Sequence, residues 1–174
     1  MIPETGKIKM EEKKNSRLDY EIFPMWKFMQ DTFGIEEAFE NFGPYKGANV
    51  KINIIDQNSL EVYMIQTVNN TNYVGTHFGG SLYSMCDPFY MFLLIWNLGE
   101  DYIVWDKSAR IEFVSPGKGK VKVRFFIPDE EIQEIREIVA KSKKTTRTYF
   151  TEITDEKGKI VAKLEKELYI RRKK

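Results

Sequence analysis

Apolar and polar residues alternate along most of this chain, and the alternation is broken by one stretch that is apolar on nearly every face. Val50, Ile52 and Ile54 alternate with Lys51 and Asn53. Leu60, Val62 and Met64 alternate with Glu61 and Tyr63, which predicts two half-buried strands joined by a turn over 56–59. Residues 81–98 are greasy throughout except at Ser84 and Asp87, too long for a strand and too apolar for a surface helix. They predict a helix buried on most sides, with Pro88 bending it or ending its first turns and Gly99 closing it. Beyond it, Ile103, Trp105, Ala109, Ile111 and Phe113 share one parity, and Asp106, Ser108, Arg110 and Glu112 share the other. Val121, Val123, Phe125 and Ile127 then alternate against Lys122 and Arg124 after a turn over 116–119. Residues 145–154 and 160–170 read as two further strands around a turn holding Gly158. In the last strand Ile160, Ala162, Leu164, Leu168 and Ile170 face one way, with Lys166 interrupting.

Two segments follow the helical period outside that stretch. Met25, Phe28, Met29 and Phe33 predict a short helix over 24–33 that Gly34 stops, and Gly43, Pro44 and Gly47 mark loop before the first strand. Ile132, Ile135 and Val139 form an apolar stripe on an otherwise charged helix over 129–140, a lid or connector inserted among the strands. Residues 68–80 lose all periodicity and hold three asparagines and three glycines, a composition for irregular backbone. A sheet with one wet side must cover its dry side with a matching apolar element, and 81–98 is the candidate. The expectation is therefore an α+β fold: a curved antiparallel sheet of about six strands wrapped around a long central helix. Residues 1–19 form a polar N-terminal tail and 20–174 a single domain.

Composition narrows the function classes. With 174 residues, 42% apolar and 30% charged, the chain has the balance of a soluble domain with a substantial core. A net charge of +1 gathers neither nucleic acid nor anionic membrane, and the basic stretches at 7–14 and 171–174 read as solvated ends. One cysteine, Cys86, excludes an internal disulfide and suits a reducing compartment; with no leader-like apolar start and no run of ~20 apolar residues, the cytoplasm is the default. A single histidine without companions makes a metal site an unfavourable reading, and no motif implies a cofactor.

The chemistry concentrates between Asn72 and Asp87. The spacing Asn72, Gly75, Gly79, Gly80 and Asp87 resembles the active-site segment of hotdog-fold thioesterases related to phenylacetate-pathway acyl-CoA thioesterases. In that pattern a histidine precedes the two glycines; here Phe78 holds that position and His77 sits one place earlier, a catalytic candidate if a shifted loop brings its imidazole back for acid–base work. The segment 75–83, the Asp87–Pro88 pair and the stretch 102–107 also resemble an uncharacterised subgroup carried as a domain of unknown function. The resemblance runs from about residue 24 to 171. It implies hydrolysis of an acyl-CoA-type thioester. Asp87 would activate water or attack the carbonyl, backbone N–H groups near Gly80 would hold the oxyanion, and Asn72 would steer the water. Gly79, Ser81, Phe78, Ser84 and Tyr83 would lie against the substrate.

Bland readings stand beside these. Asp87, an acid in greasy surroundings, needs a compensating partner: Ser84, a backbone N–H, or a cation such as Arg110 or Lys107. On these readings the glycines serve packing alone, His77 and Asn72 only fix their loop, and Cys86 is a buried thiol. The alternative functions are a non-catalytic domain that binds an acyl or other apolar ligand, and a structural dimer module. In either case an open sheet edge calls for a homodimer or a dimer of dimers.

Overall fold

The computed structural model describes residues 22–173; the tail expected over 1–19 lies outside them. Three short helices lead the chain: α1 (Pro24–Phe33), α2 (Ile35–Asn41) and α3 (Gly43–Ala48). The first is where its periodicity puts it. The third replaces the expected loop, because Gly43 and Pro44 open α3 at its first turn, where a proline's missing N–H costs nothing. Gly34 joins α1 to α2 at φ 84°, a value that favours glycine.

Strands β1 (Val50–Ile54), β2 (Ser59–Ile65), β3 (Tyr102–Phe113), β4 (Lys120–Phe126), β5 (Lys144–Asp155) and β6 (Ile160–Arg172) form one antiparallel sheet in the order β1-β2-β4-β5-β6-β3. Alternation sets the register directly: Ile52 faces Val62, which faces Val123, all buried on one side. The sheet is open; at its β1 edge the Ile54 N–H donates to Glu36 of α2 at 2.6 Å, while the β3 edge is paired with no other described strand. Helix α6 (Asp129–Ser142) buries Ile132, Ile135 and Val139 as their stripe requires. Its Arg136 bonds the Asn97 carbonyl at 2.6 Å.

Two expectations need correction. The apolar stretch is not one long helix but two, α4 (Gly79–Ser84) and α5 (Phe89–Leu98). Between them the backbone tightens: Cys86 N–H bonds the Tyr83 carbonyl and Asp87 N–H bonds that of Ser84, both three residues back. Pro88 has no N–H to restore the wider pattern, so α5 starts afresh behind it. The parity of β3 is also reversed in its first half. Asp106 pairs with Leu168 and Ser108 with Glu167, leaving Lys107 as an extra, bulged residue. Before the bulge Tyr102 and Val104 are buried and Trp105 is 68% exposed; after it Ile111 lies opposite buried Leu164.

Helix α5 supplies the core. Phe89 is fully buried, its ring 5.4 Å from Phe125 and 6.0 Å from Tyr45. Burying one such side chain stabilises the fold by about 1.5–3 kcal/mol. The aromatic load of the sequence is thus spent largely on packing α5 against the sheet and α2–α3. Among the described residues no helix is long and apolar enough to cross a membrane.

Candidate active site

The helix break places Tyr83 and Asp87 four residues apart on one side of the chain, and the Tyr83 hydroxyl donates to Asp87 Oδ1 at 2.8 Å. A second donor reaches the same oxygen: Lys166 Nζ, from the middle of β6, also at 2.8 Å. Lys166 is only 2% exposed and lies 3.1 Å from Asp106 Oδ2 as well. The β3 bulge is the reason: it turns Asp106 inward, onto the face that carries Leu168 and Lys166. Asp87 Oδ2 takes no hydrogen bond from any described residue, and the Asp87 side chain remains 46% exposed. Among the described residues, one oxygen is anchored and the other has no partner.

Electrostatics keep the anchors in their donating forms. Burial pushes the Lys166 ammonium down, but its hydrogen bond to Asp87 and the charges of Asp106 and Asp87 outweigh that and hold it above the ordinary lysine value. Burial raises the Tyr83 phenol, and the bond to Asp87 raises it further, so it stays a neutral donor. Burial likewise lifts the Asp106 carboxyl, only partly offset by Lys166, and its Oδ1 is buried without a partner. Cys86 is wholly buried, and desolvation pushes its thiol up, away from nucleophilic use.

The loop residues are held by other bonds. Asn72 closes its own turn, donating from Nδ2 to Thr76 Oγ1 and the His77 carbonyl and accepting from the N–H groups of Val74 and Thr76. His77 is 2% exposed; its Nε2 donates to the Gly119 carbonyl at 2.9 Å, and among the described residues it makes no bond to Asp87. At the head of α4 the Phe78 carbonyl takes the N–H groups of Ser81 and Leu82, so those of Gly79 and Gly80 have no acceptor within the helix. Both glycines are covered by rings: a Cβ on Gly79 would lie 2.9 Å from Phe113 Cζ, and one on Gly80 would collide with Phe78. Ser81 is buried, while Ser84 meets Asp87 only through its carbonyl.

Sequence reasoning missed Lys166 and Asp106 as site residues. The signal for Lys166 was present, since it is the one charged residue among the buried positions of β6. Asp106 carried no such signal, because the bulge that turns it inward does not show in the alternation. Lys107, a cation considered for Asp87, bonds Glu167 instead at 2.9 Å.

A cavity of about 560 Å³ opens beside Asp87, between α5, the leading helices and Trp105 on β3. A larger hollow of about 760 Å³ lies near Gly34 and the β1 edge, lined by Glu36, Glu37 and Glu40 and by none of the Asp87 cluster. Among the described residues no three His, Cys, Asp or Glu side chains converge to hold a metal ion.

Comparison with known proteins fits this geometry. Residues 35–170 match the family described as Domain of unknown function (DUF4442). No curated relative matches the chain. Among solved structures, a Pseudomonas aeruginosa protein of unknown function described as a probable thioesterase is similar at TM-score 0.72 and 17% identity, over 79% of this chain and 93% of its own. A Haemophilus influenzae thioesterase is similar at TM-score 0.59 and 13% identity, over 89% and 95%. The E. coli PaaI protein from the phenylacetic acid degradation operon is similar at TM-score 0.53 and 18% identity, over 79% and 89%. At such identities the likeness carries the fold. The chain belongs to the DUF4442 family, whose model matches residues 35–170.

Proposed function

We propose that this chain hydrolyses acyl-CoA-type thioesters with Asp87 as general base. The observation that carries the reading is the divided carboxylate: Oδ1 held by Tyr83 and Lys166, Oδ2 unbonded on a side chain that lines an apolar cavity. Oδ2 takes a proton from water as the water oxygen adds to the thioester carbonyl carbon. The displaced electron pair goes to the carbonyl oxygen, and the unpaired N–H groups of Gly79 and Gly80 are the donors suited to that charge. Collapse breaks the C–S bond, and Asp87 returns its proton to the departing thiolate. Asn72 and His77 serve by fixing the loop that delivers those glycines.

The test is release of free thiol from a panel of acyl-CoAs by wild type and Asp87→Asn. Turnover lost at least a hundredfold with the fold intact supports the reading; absence of turnover on every thioester sinks it. That second outcome favours a non-catalytic acyl-binding domain, a reading supported by the Phe78 ring against Gly80.

A homodimer belongs to the proposal. β3 is an edge strand of 12 residues bearing Trp105 and Phe113 exposed to 68% and 56%, and a second copy would cover both strand edge and rings. Sedimentation at micromolar concentration checks it; a monomer there removes this part.

A further inference from the structure

The cavity beside Asp87 has a direction. Its floor is one face of α5, where Pro88, Met91, Phe92, Ile95 and Trp96 follow the spacing of a single helical stripe. Asp87 stands at one end of that stripe and Trp96 at the other. From Pro88 to Trp96 the helix rises about 12 Å, the length of an extended saturated chain of roughly nine carbons. Apart from Gln30 and Asp87, the walls are apolar or aromatic. All three tryptophans of the chain, Trp26, Trp96 and Trp105, line it.

The roof comes from α1, which lies outside the stretch matched by the family. No residue of α1 is buried, and the helix meets the body through Trp26, whose ring lies 5.1 Å from Phe39 and 5.2 Å from Phe42. A wall with so little packing of its own gains apolar contact when the groove below it is filled.

We infer that this groove is the acyl site and sets a chain-length limit. The substrate is a thioester of a medium-length, apolar acyl group lying along α5, with its carbonyl at Asp87, its far end against Trp96 and Trp26 as its roof. Trp26 and Trp96 are the specificity-determining residues. The inference rests on the thioester reading for the identity of the ligand, and its test does not require turnover. An acyl chain fits better than a peptide or a second copy's side chain, because the groove is long and apolar and its free polar oxygen sits at one end.

The experiment uses the Asp87→Asn chain and N-acetylcysteamine thioesters from butyryl to tetradecanoyl, followed by tryptophan fluorescence. Each added methylene should tighten binding about fourfold, with the gain stopping near eight to ten carbons. Trp96→Ala should move the stop outward by two or more carbons. Trp26→Ala should weaken the decanoyl thioester at least tenfold and leave the butyryl one unchanged; circular dichroism monitors folding, and Trp26→Phe should keep most of the affinity. Equal affinity at every length, or an unbroken gain to tetradecanoyl with Trp96 in place, overturns the proposal. So does a fluorescence change that follows protein concentration rather than ligand, which assigns the groove to a second copy. A length limit without wild-type turnover on the same thioesters keeps the groove and removes only the hydrolysis.

Discussion

The ammonium of Lys166 lies 2.8 Å from Asp87 Oδ1 and 3.1 Å from Asp106 Oδ2, so one buried cation serves two carboxylates that differ in exposure. Removing it leaves Asp106, a partly buried carboxylate whose Oδ1 already lacks a partner, with no cation. Breaking a buried pair from one side costs about 3–5 kcal/mol. The Asp87 carboxylate is 46% exposed and turns to water, so Lys166→Met should sit at the low end of that range. Adding Asp106→Asn should recover about 1–2 kcal/mol, because the remaining amide carries no charge to desolvate. Urea denaturation of the single and double variants measures both, and no recovery would mean that Asp106 does not depend on Lys166.

The same cluster sets how stability responds to alkali. Burial lowers Lys166, but its bond to Asp87 and the two acidic charges hold it above the ordinary lysine value. Its contribution is therefore complete below pH 10 or so and is lost as pH rises through the folded value. Burial pushes the Tyr90 phenol up to about 12. An unfolded chain ionises tyrosine near pH 10, so between about pH 10 and 12 it sheds a proton that the native state keeps, which carries the same sign. Stability should be level to about pH 8, begin to fall as the unfolded Cys86 thiol ionises at about 8.5 while burial keeps the native one protonated, and fall steeply above 10. Lys166→Met and Tyr90→Phe should each make that fall shallower, although each starts from a lower plateau. Melting temperatures across the pH series decide the matter, and an unchanged slope in both variants would remove these groups as its source.

How much of this was legible in the sequence depends on which force set each feature. The pairing of Ile52, Val62 and Val123 was readable because each strand has one wet and one dry face, so a slip of one residue would expose its apolar set. The α6 stripe was readable for the same reason. The broken helix was half readable: Pro88 announced a disturbance, but apolar periodicity cannot distinguish a bend from a stop. The β3 bulge was invisible, since Trp105 and Phe113 are apolar and exposed on either side of it, and their shared parity looked like a core face. Lys166 was visible only as an exception on an apolar strand face. Its meaning required Asp87 and Asp106, which come from different elements and meet it only in three dimensions.

Gly80 allows a test of whether space or chemistry fixes that position. A Cβ there would collide with the Phe78 ring, but Phe78 is 55% exposed and its ring can swing outward. Gly80→Ala should therefore cost stability only about 1 kcal/mol. If the Gly79 and Gly80 N–H groups hold the oxyanion, the displaced ring and added methyl should lower kcat about a hundredfold, with KM changing little. Gly80→Ala with Phe78→Ala relieves the collision and should restore stability. If full activity returns as well, the ring rather than the glycine backbone was the limiting group.

Tyr83 offers the finest probe of the divided carboxylate. Its hydroxyl and Lys166 share Asp87 Oδ1, and together they fix the rotation of a carboxylate that lines the cavity. Tyr83→Phe removes one neutral donor to a charged acceptor while Lys166 still holds the oxygen, a loss of about 1.5–3 kcal/mol in positioning. As a positioning residue it should show that loss as a ten- to hundredfold drop in kcat, with acyl affinity in the groove unchanged, because no atom of Tyr83 lines it. A merely structural role would lower stability and leave kcat in place. Steady-state kinetics, beside thioester binding to the Asp87→Asn and Asp87→Asn/Tyr83→Phe chains, separates the two. Unchanged kcat would mean that Lys166 alone orients the acid.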